Sequence, residues 1–298
     1  MHDINLKYFH SVAKTGSLSA ASEELHIAVS AVSRQISQLE EQLQLTLFEH
    51  KARGMTLTPA GELLYTYALR NDVELTNVIT EMQGITNRQQ QSISLACPEG
   101  MAWDFLPHII TQFRQTHPQT LFSLQVVDSA RATQLVKEGV VDAALTFSLQ
   151  PEQGVQVALQ VPSPVFALLS HDHPLANKEK LTVSDIAAYP LALSESGTTL
   201  NYLFEITCHL AGIKVYPALT SNAMGAIYTF TKDTPQAVAL FGAQSIQRQA
   251  PKDGLILRPM TESTFVQRSL QLQVMAGRQH PESVQVFVQY LMEQLVKP

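Results

Sequence analysis

A chain of 298 residues has room for two domains, each able to bury its own core, so neither a metal nor a disulfide scaffold is needed to hold it together. Its 20 Lys and Arg against 26 Asp and Glu give a formal charge of -6, which taken alone argues against a nucleic-acid partner. The two cysteines, Cys97 and Cys208, are too few and too far apart for a disulfide framework, which points to a reducing compartment. The first residues lack the apolar core of a signal peptide and no window reaches a membrane-spanning apolar length. A cytoplasmic protein with no membrane partner is therefore expected.

In chain order, Leu6, Phe9, Val12 and Ala13 recur at helical spacing until Thr15 and Gly16 end the run. Ser17 is placed to cap a second short helix over 18–25. A third helix is expected over 29–42 with two chemically different faces. Val32, Ile36, Leu39 and Leu43 form a core stripe, while Val29, Ser30, Ser33, Arg34 and Ser37 form a row of small, mostly polar residues with one cation. Small side chains let a helix approach another surface closely. Apolar runs at 45–48 and 55–58 flank His50 to Gly54 and suggest a two-stranded wing with Lys51 and Arg53 near its tip.

Thr58 followed by Pro59 is a strong helix start. The pattern then stays helical to about Arg88, and Leu64, Tyr67, Asn71, Leu75, Val78, Met82 and Ile85 alternate three- and four-residue steps, as in a two-helix seam. Arg88 to Gln91 reads as a hinge. Beyond it the texture becomes strand–helix alternation: strands at 92–97, 121–127, 142–147, 165–169, 237–241 and 270–275, with helices at 101–117, 130–138, 199–211, 223–231 and 283–295. Such repeats imply a mostly parallel sheet covered on both faces.

The segments LKYFHSVAKTGSLSAASEELHIAVSAVSRQISQLEEQL and LFEHKARGMTLTPAGELLY resemble the bacterial LysR-type transcriptional regulators over about 60 positions, in the winged helix-turn-helix and the linker helix. Farther on, LVKEGVVDAAL and HPLANKEKLTVSDIAAYPLAL resemble the effector domain of the same family. The resemblance implies an α/β chain in three parts: a winged helix-turn-helix over 1–58, a linker and dimerisation helix over 59–88, and a periplasmic-binding-protein-like effector domain over 89–298. That last domain would have two subdomains, one at about 92–162 and 266–298 and one at about 163–265.

It further implies a transcriptional regulator rather than an enzyme. The partners would be double-stranded DNA, a second copy through the linker helix, a tetramer of such dimers, and RNA polymerase. No cofactor or metal is expected, only a small-molecule effector of unknown identity. The DNA-contacting residues carried over are Val29, Ser30, Ser33, Arg34 and Ser37 on the recognition helix, Leu18 and Ser19 before it, and Lys51 and Arg53 on the wing. One departure stands out: where many members have a Ser or Thr cap followed by Gln, this chain has Ala28 and Val29. Valine offers a base only apolar contact, for instance to a thymine methyl, where Gln reads adenine bidentately.

Ligands of open α/β sheets bind at the carboxyl ends of strands. Pro98, Glu99, Gly100 and Met101 follow the first strand, Asp128 and Ser129 the second, and Thr146, Phe147 and Ser148 lie at the third. Across the expected cleft, Ser196, Gly197 and Thr198 precede a helix and offer amides to an anion, with Asn222 and Phe241 at corresponding places. Two readings of Glu99 stand side by side. With Asp128 it would disfavour a simple dicarboxylate and suit a neutral, amine-bearing or zwitterionic effector with its acid end at 196–199; alternatively it caps the following helix. His171-Asp172-His173 reads as a turn rather than a metal site, and both cysteines read as buried thiols. A solute-binding protein leaves the first 90 residues unexplained, and no nucleophile–base spacing supports an enzyme.

Overall fold

The computed structural model describes residues 3–51, 54–69, 71, 75, 92–148 and 154–297. The chain divides into two compact units, Met1–Arg88 and Gln89–Pro298. The first contains α1 (Asp3–Thr15), α2 (Leu18–Leu25), α3 (Val29–Leu43), the hairpin β1 (Phe48–Lys51) and β2 (Gly54–Leu57), and α4, helical through 59–69. The wing strands sit nearer the tip than the apolar runs suggested, because Leu47 faces the core from the loop before β1.

Phe9, Val12, Ala21, Val32, Ile36, Leu39, Leu47, Phe48 and Met55 make one buried cluster. The intended core stripe of α3 therefore faces inward and leaves the small, polar row outside. Ser17 Oγ accepts from Ala20 N–H at 3.4 Å and starts α2. The wing is strapped to the α1–α2 turn by Met55 N–H donating to the Gly16 carbonyl at 2.9 Å. Gly54 has φ +123, and a Cβ there would lie 2.5 Å from that same carbonyl oxygen, so only glycine fits. Thr58 Oγ1 accepts from Gly61 N–H at 3.1 Å to start α4, whose Ala60, Leu64 and Tyr65 pack on the cluster. Of the proposed seam, Leu64 belongs to this core, Tyr67 and Leu75 are exposed, and Val78, Met82 and Ile85 lie outside the described residues.

The second unit has two lobes. Lobe I contains β3 (Ser92–Cys97), α5 (Glu99–Ala102), α6 (Phe105–Thr116), β4 (Leu121–Val126), α7 (Ser129–Lys137), β5 (Ala143–Ser148) and β6 (Val155–Pro162). The chain then crosses to lobe II: β7 (Val165–Ser170), α8 (Val183–Ile186), β8 (Leu191–Ser194), α9 (Thr199–Ala211), β9 (Leu219–Ser221), α10 (Met224–Asp233), β10 (Val238–Gly242), α11 (Ala243–Ile246), β11 (Leu255–Pro259) and α12 (Ser263–Val266). A second crossover returns it to lobe I for β12 (Ser269–Met275) and α13 (Glu282–Val296). The sheets run β4-β3-β5-β12-β6 and β11-β7-β10-β8-β9.

Each sheet is mixed rather than mostly parallel. In lobe I, β3 pairs parallel to β4 and β5, whereas β12 is antiparallel to β5 and β6. The antiparallel strands are the ones at the crossovers, where the chain enters or leaves a lobe. The helix expected over 101–117 is two helices broken at Trp103 and Asp104, with Trp103 turned onto the Tyr228 ring at 4.6 Å. Strands β6, β8, β9 and β11 have no counterpart in the sequence expectation.

A polar chain runs beneath α7: Thr133 Oγ1 donates to Gln273 Oε1 (2.8 Å) and Gln273 Nε2 to Gln271 Oε1 (2.9 Å). Lobe II buries His173 between Leu175 N–H, which donates to Nδ1 at 3.0 Å, and the Gln236 carbonyl, 3.2 Å from Nε2. Only a neutral ring protonated on Nε2 satisfies both, and burial holds the His173 pKa below its ordinary value. Burial, joined by the nearby Arg278 charge, does the same to His280. Because the unfolded chain takes up these protons first, stability should be intact above about pH 6.5 and fall as pH drops below it. Denaturant midpoints measured from about pH 7.5 to about pH 5.5 check this, and a flat profile would contradict it.

Candidate functional site

The outer face of α3 carries Val29, Ser30, Arg34 and Ser37 as exposed side chains with Ser33 half-buried among them. Ala28 occupies the N-cap without a side-chain hydrogen bond, as the missing Ser or Thr predicts. Ser19 is exposed at the start of α2, whereas Leu18 is half-buried against the core and serves the packing. Lys51 ends β1, exposed and 3.8 Å from Glu49, and Arg53 lies outside the described residues. Glu40 is half-buried: its Oε1 accepts from Leu47 N–H (2.6 Å) and Phe48 N–H (3.2 Å), fixing the loop between α3 and the wing. That role has no sequence signature, since the partners are backbone amides.

Between the lobes of the second unit is a cleft of about 1070 Å³. Pro98, Glu99, Gly100, Asp128, Ser129, Phe147, Ser196, Gly197, Thr198, Asn222 and Phe241 all line it. Met101 does not: it is fully buried in the lobe I core, because the short α5 turns that side chain inward. Thr146 is also fully buried, its hydroxyl without a hydrogen-bond partner, on the strand face opposite to the cleft-lining Phe147. The side chain of Ser148 lies outside the described residues.

The lobes are fastened to each other across this cleft. Glu99, at the start of α5, accepts from Met224 N–H of α10 at 2.7 Å, so it caps the helix of the opposite lobe rather than its own. Thr199 Oγ1 of lobe II donates to the Phe147 carbonyl of lobe I at 3.0 Å, while Phe147 N–H donates to Ser129 Oγ at 3.0 Å. Asp128 caps α7 through Arg131 N–H at 2.8 Å. Thr198 caps α9 through Asn201 N–H at 3.1 Å and its hydroxyl meets Ser194 Oγ at 2.8 Å.

Arg268 is the cation among the described lining residues, and the sequence expectation missed it. It stands in the second crossover, 5% exposed, with its guanidinium carbon 3.5 Å from the centre of the Phe147 ring. Nη1 donates to Ser163 Oγ of the first crossover at 3.3 Å, and Nε is buried without a partner. Burial pushes the Arg268 guanidinium down to about 9. A lone cation in front of an apolar strand, QRSLQLQV, was the available signal.

His171, Asp172 and His173 do not converge. His171 pairs with Asp172 at 3.1 Å and meets the Gly254 carbonyl at 3.1 Å, while His173 points into the core. No group of three or more metal-ligating side chains forms among the described residues. Cys97 and Cys208 are both buried free thiols, and desolvation pushes Cys97 up to about 12, far from a reactive thiolate. No helix among the described residues is long and apolar enough to cross a membrane.

Family models match in two places: the bacterial regulatory helix-turn-helix protein of the lysR family over residues 5–62, and the LysR substrate binding domain over residues 86–296. The chain belongs to the LysR-type transcriptional regulators. It is 27% identical over 266 residues to a probable nitrogen assimilation transcriptional activator of Synechococcus elongatus, covering 86% of this chain and 84% of that one. Full-length OxyR from Pseudomonas aeruginosa shares its fold with a TM-score of 0.61 at 18% identity, covering 98% of this chain and 94% of that chain. CbnR, solved with its target DNA, matches with a TM-score of 0.54 at 19% identity over 98% of this chain and 99% of that one. This LysR-type regulator thus carries a helix-turn-helix DNA-binding domain and a substrate-binding effector domain, and its relatives are regulators rather than enzymes.

For this regulator, Arg34→Ala should weaken specific DNA binding by about 1–3 kcal/mol and leave the unfolding midpoint unchanged, because the side chain is exposed. Val29→Gln should alter the preferred base at one position of each half-site. Gel shifts against a randomised half-site library check both; an unchanged preference would remove Val29 from the interface.

Proposed function

We propose that the regulator works as a cytoplasmic homodimer, assembled through α4 and further into a tetramer, that grips DNA with α3 and the wing and is set by an effector in the inter-lobe cleft. The observation that carries the reading is the cleft itself: both lobes line it, and so does Arg268 of the second crossover. An effector touching both lobes binds one lobe disposition better than another and shifts the population toward it. Glu99 on Met224 N–H and Thr199 on the Phe147 carbonyl are the bonds that such a shift would make or break. The changed disposition alters how the DNA-binding heads sit on their sites, hence DNA bending and access of RNA polymerase. The exposed Tyr67 on α4 and the exposed Leu75 farther along the chain support pairing with a second copy. No cofactor enters this scheme.

DNA is held with few cations. Residues 1–90 contain seven Lys and Arg against ten Asp and Glu, so no basic domain is hidden in the total. Arg34, Lys51 and Arg53 are the cations at hand on the groove-facing elements; backbone amides, hydroxyls and multiple heads supply the rest of the affinity. With about 0.9 counterions released per neutralised phosphate, a dimer using these three per head should give a log–log salt slope of about -5. Gel shift on the chain's own upstream DNA at several salt concentrations measures it. Retention of a specific fragment with that shallow slope is the expected result; a slope near about -10, or no specific fragment, would contradict the reading.

A further inference from the structure

The charged residues around the cleft are not equivalent. Asp128, Glu195 and Glu205 are exposed at its mouth, where water and salt screen them. Asp128 is already occupied by Arg131 N–H, and Glu205 accepts from Asn201 Nδ2 at 2.8 Å. Glu99 is engaged by Met224 N–H. Arg268 stands apart: it is 5% exposed and walled by the Phe147 ring and by Gly242, where a Cβ would come within 2.7 Å of Nη1. A guanidinium presents five N–H donors, and here Ser163 Oγ takes one while Nε is buried with none. Among the described residues no carboxylate pairs with it. An unpaired buried cation is unfavourable unless something supplies the counter-charge, and such groups in a cleft mark binding sites.

We infer that the effector is a small monocarboxylic acid whose carboxylate docks on Arg268 at the floor of the cleft, with its hydrogen-bond-donating end toward the acidic mouth. The inference rests on the reading that the effector occupies this cleft. Carboxylate geometry matches the guanidinium fork, which a neutral oxygen does not. A second carboxylate would face Asp128, Glu195 and Glu205, so dicarboxylates are disfavoured and hydroxy or amino acids favoured. The acid end thus goes to the floor rather than to the exposed Ser196–Thr198 rim. Because Arg268 lies where the two crossovers meet, an anion bound there acts on the segment about which the lobes move.

The test is calorimetric titration of the full-length protein with a panel of small hydroxy, amino and unsubstituted monocarboxylates, each with its primary amide and its dicarboxylate counterpart. At least one acid should bind the wild type, with its amide weaker by about 100-fold. Arg268→Gln should lose that acid by about 100-fold and Arg268→Lys should recover part of it, both variants still retaining DNA in a gel shift as evidence of folding. Asn222→Trp, at the exposed mouth, should also weaken it by obstructing entry. No binding of any acid, equal binding of acid and amide, or Arg268→Gln within about threefold of wild type would overturn the inference. Neutral ligands that ignore Arg268→Gln but are blocked by Asn222→Trp would leave the cleft as the effector site and remove only the anion assignment. Ligands indifferent to both substitutions would remove the cleft reading as well.

Discussion

Two crossovers side by side govern the second unit. Ser163 N–H donates to the Arg268 carbonyl at 2.9 Å, and the Arg268 guanidinium returns to Ser163 Oγ, so the two crossovers seen among the described residues are hydrogen-bonded to each other. From this join follow the mixed sheets, since β6 and β7 diverge from one crossover and β12 leaves the other antiparallel to β5 and β6. From it also follow the floor of the cleft and the cation placed there. Ser163 Oγ in turn donates to Gln244 Oε1 at 2.9 Å, which ties the start of α11 to the same point. A lobe movement centred here leaves both hydrophobic cores intact and works only on the few bonds across the cleft.

The acidic total of the chain takes on a different meaning in this setting. In the DNA-binding unit several carboxylates have internal duties: Glu40 holds the loop before the wing and Glu24 binds Lys14 Nζ at 2.7 Å and Ser11 Oγ at 3.1 Å. They are not a negative face opposing DNA, but they leave few cations for phosphate. In the effector unit the carboxylates at the cleft are caps or mouth residues, while the buried charge among the described cleft-lining residues is positive. Net charge counts both kinds alike; burial does not, because a charge in the interior interacts far more strongly than one at the surface.

Much of the fold was legible where local chemistry decides it. The strand at 92–97 and the helix at 199–211 appear with the expected limits, the latter bounded by the Thr198 cap and by Gly212 at φ +67. The inward stripe of α3 followed from spacing alone. The break at Trp103 was invisible because Ala102, Leu106, Ile109 and Phe113 keep three- and four-residue steps across it. Strands such as β8 and β9 are too short to carry a pattern, and strand direction leaves no mark on residues buried on both faces. In the cleft, strand-end positions were found because topology puts them there. Arg268 was not, since its partners are Phe147, Ser163 and Gly242, all more than twenty residues away in sequence. Glu99 was found but misjudged for the same reason: its partner is a backbone amide of the other lobe.

The buried Arg268 guanidinium has no counter-charge among the described residues, an arrangement that is unfavourable until an anion binds. The most direct measurement is the unfolding midpoint of the ligand-free Arg268→Met variant in a guanidinium titration. Methionine keeps an unbranched side chain of similar reach while giving up the guanidinium contact with the Phe147 ring, and Ser163 Oγ keeps Gln244 as a partner. The variant should be more stable than wild type, by about 1–4 kcal/mol, because an unpaired buried charge has been removed. A loss of stability by about 3–5 kcal/mol, as when one member of a buried ion pair is deleted, would contradict it.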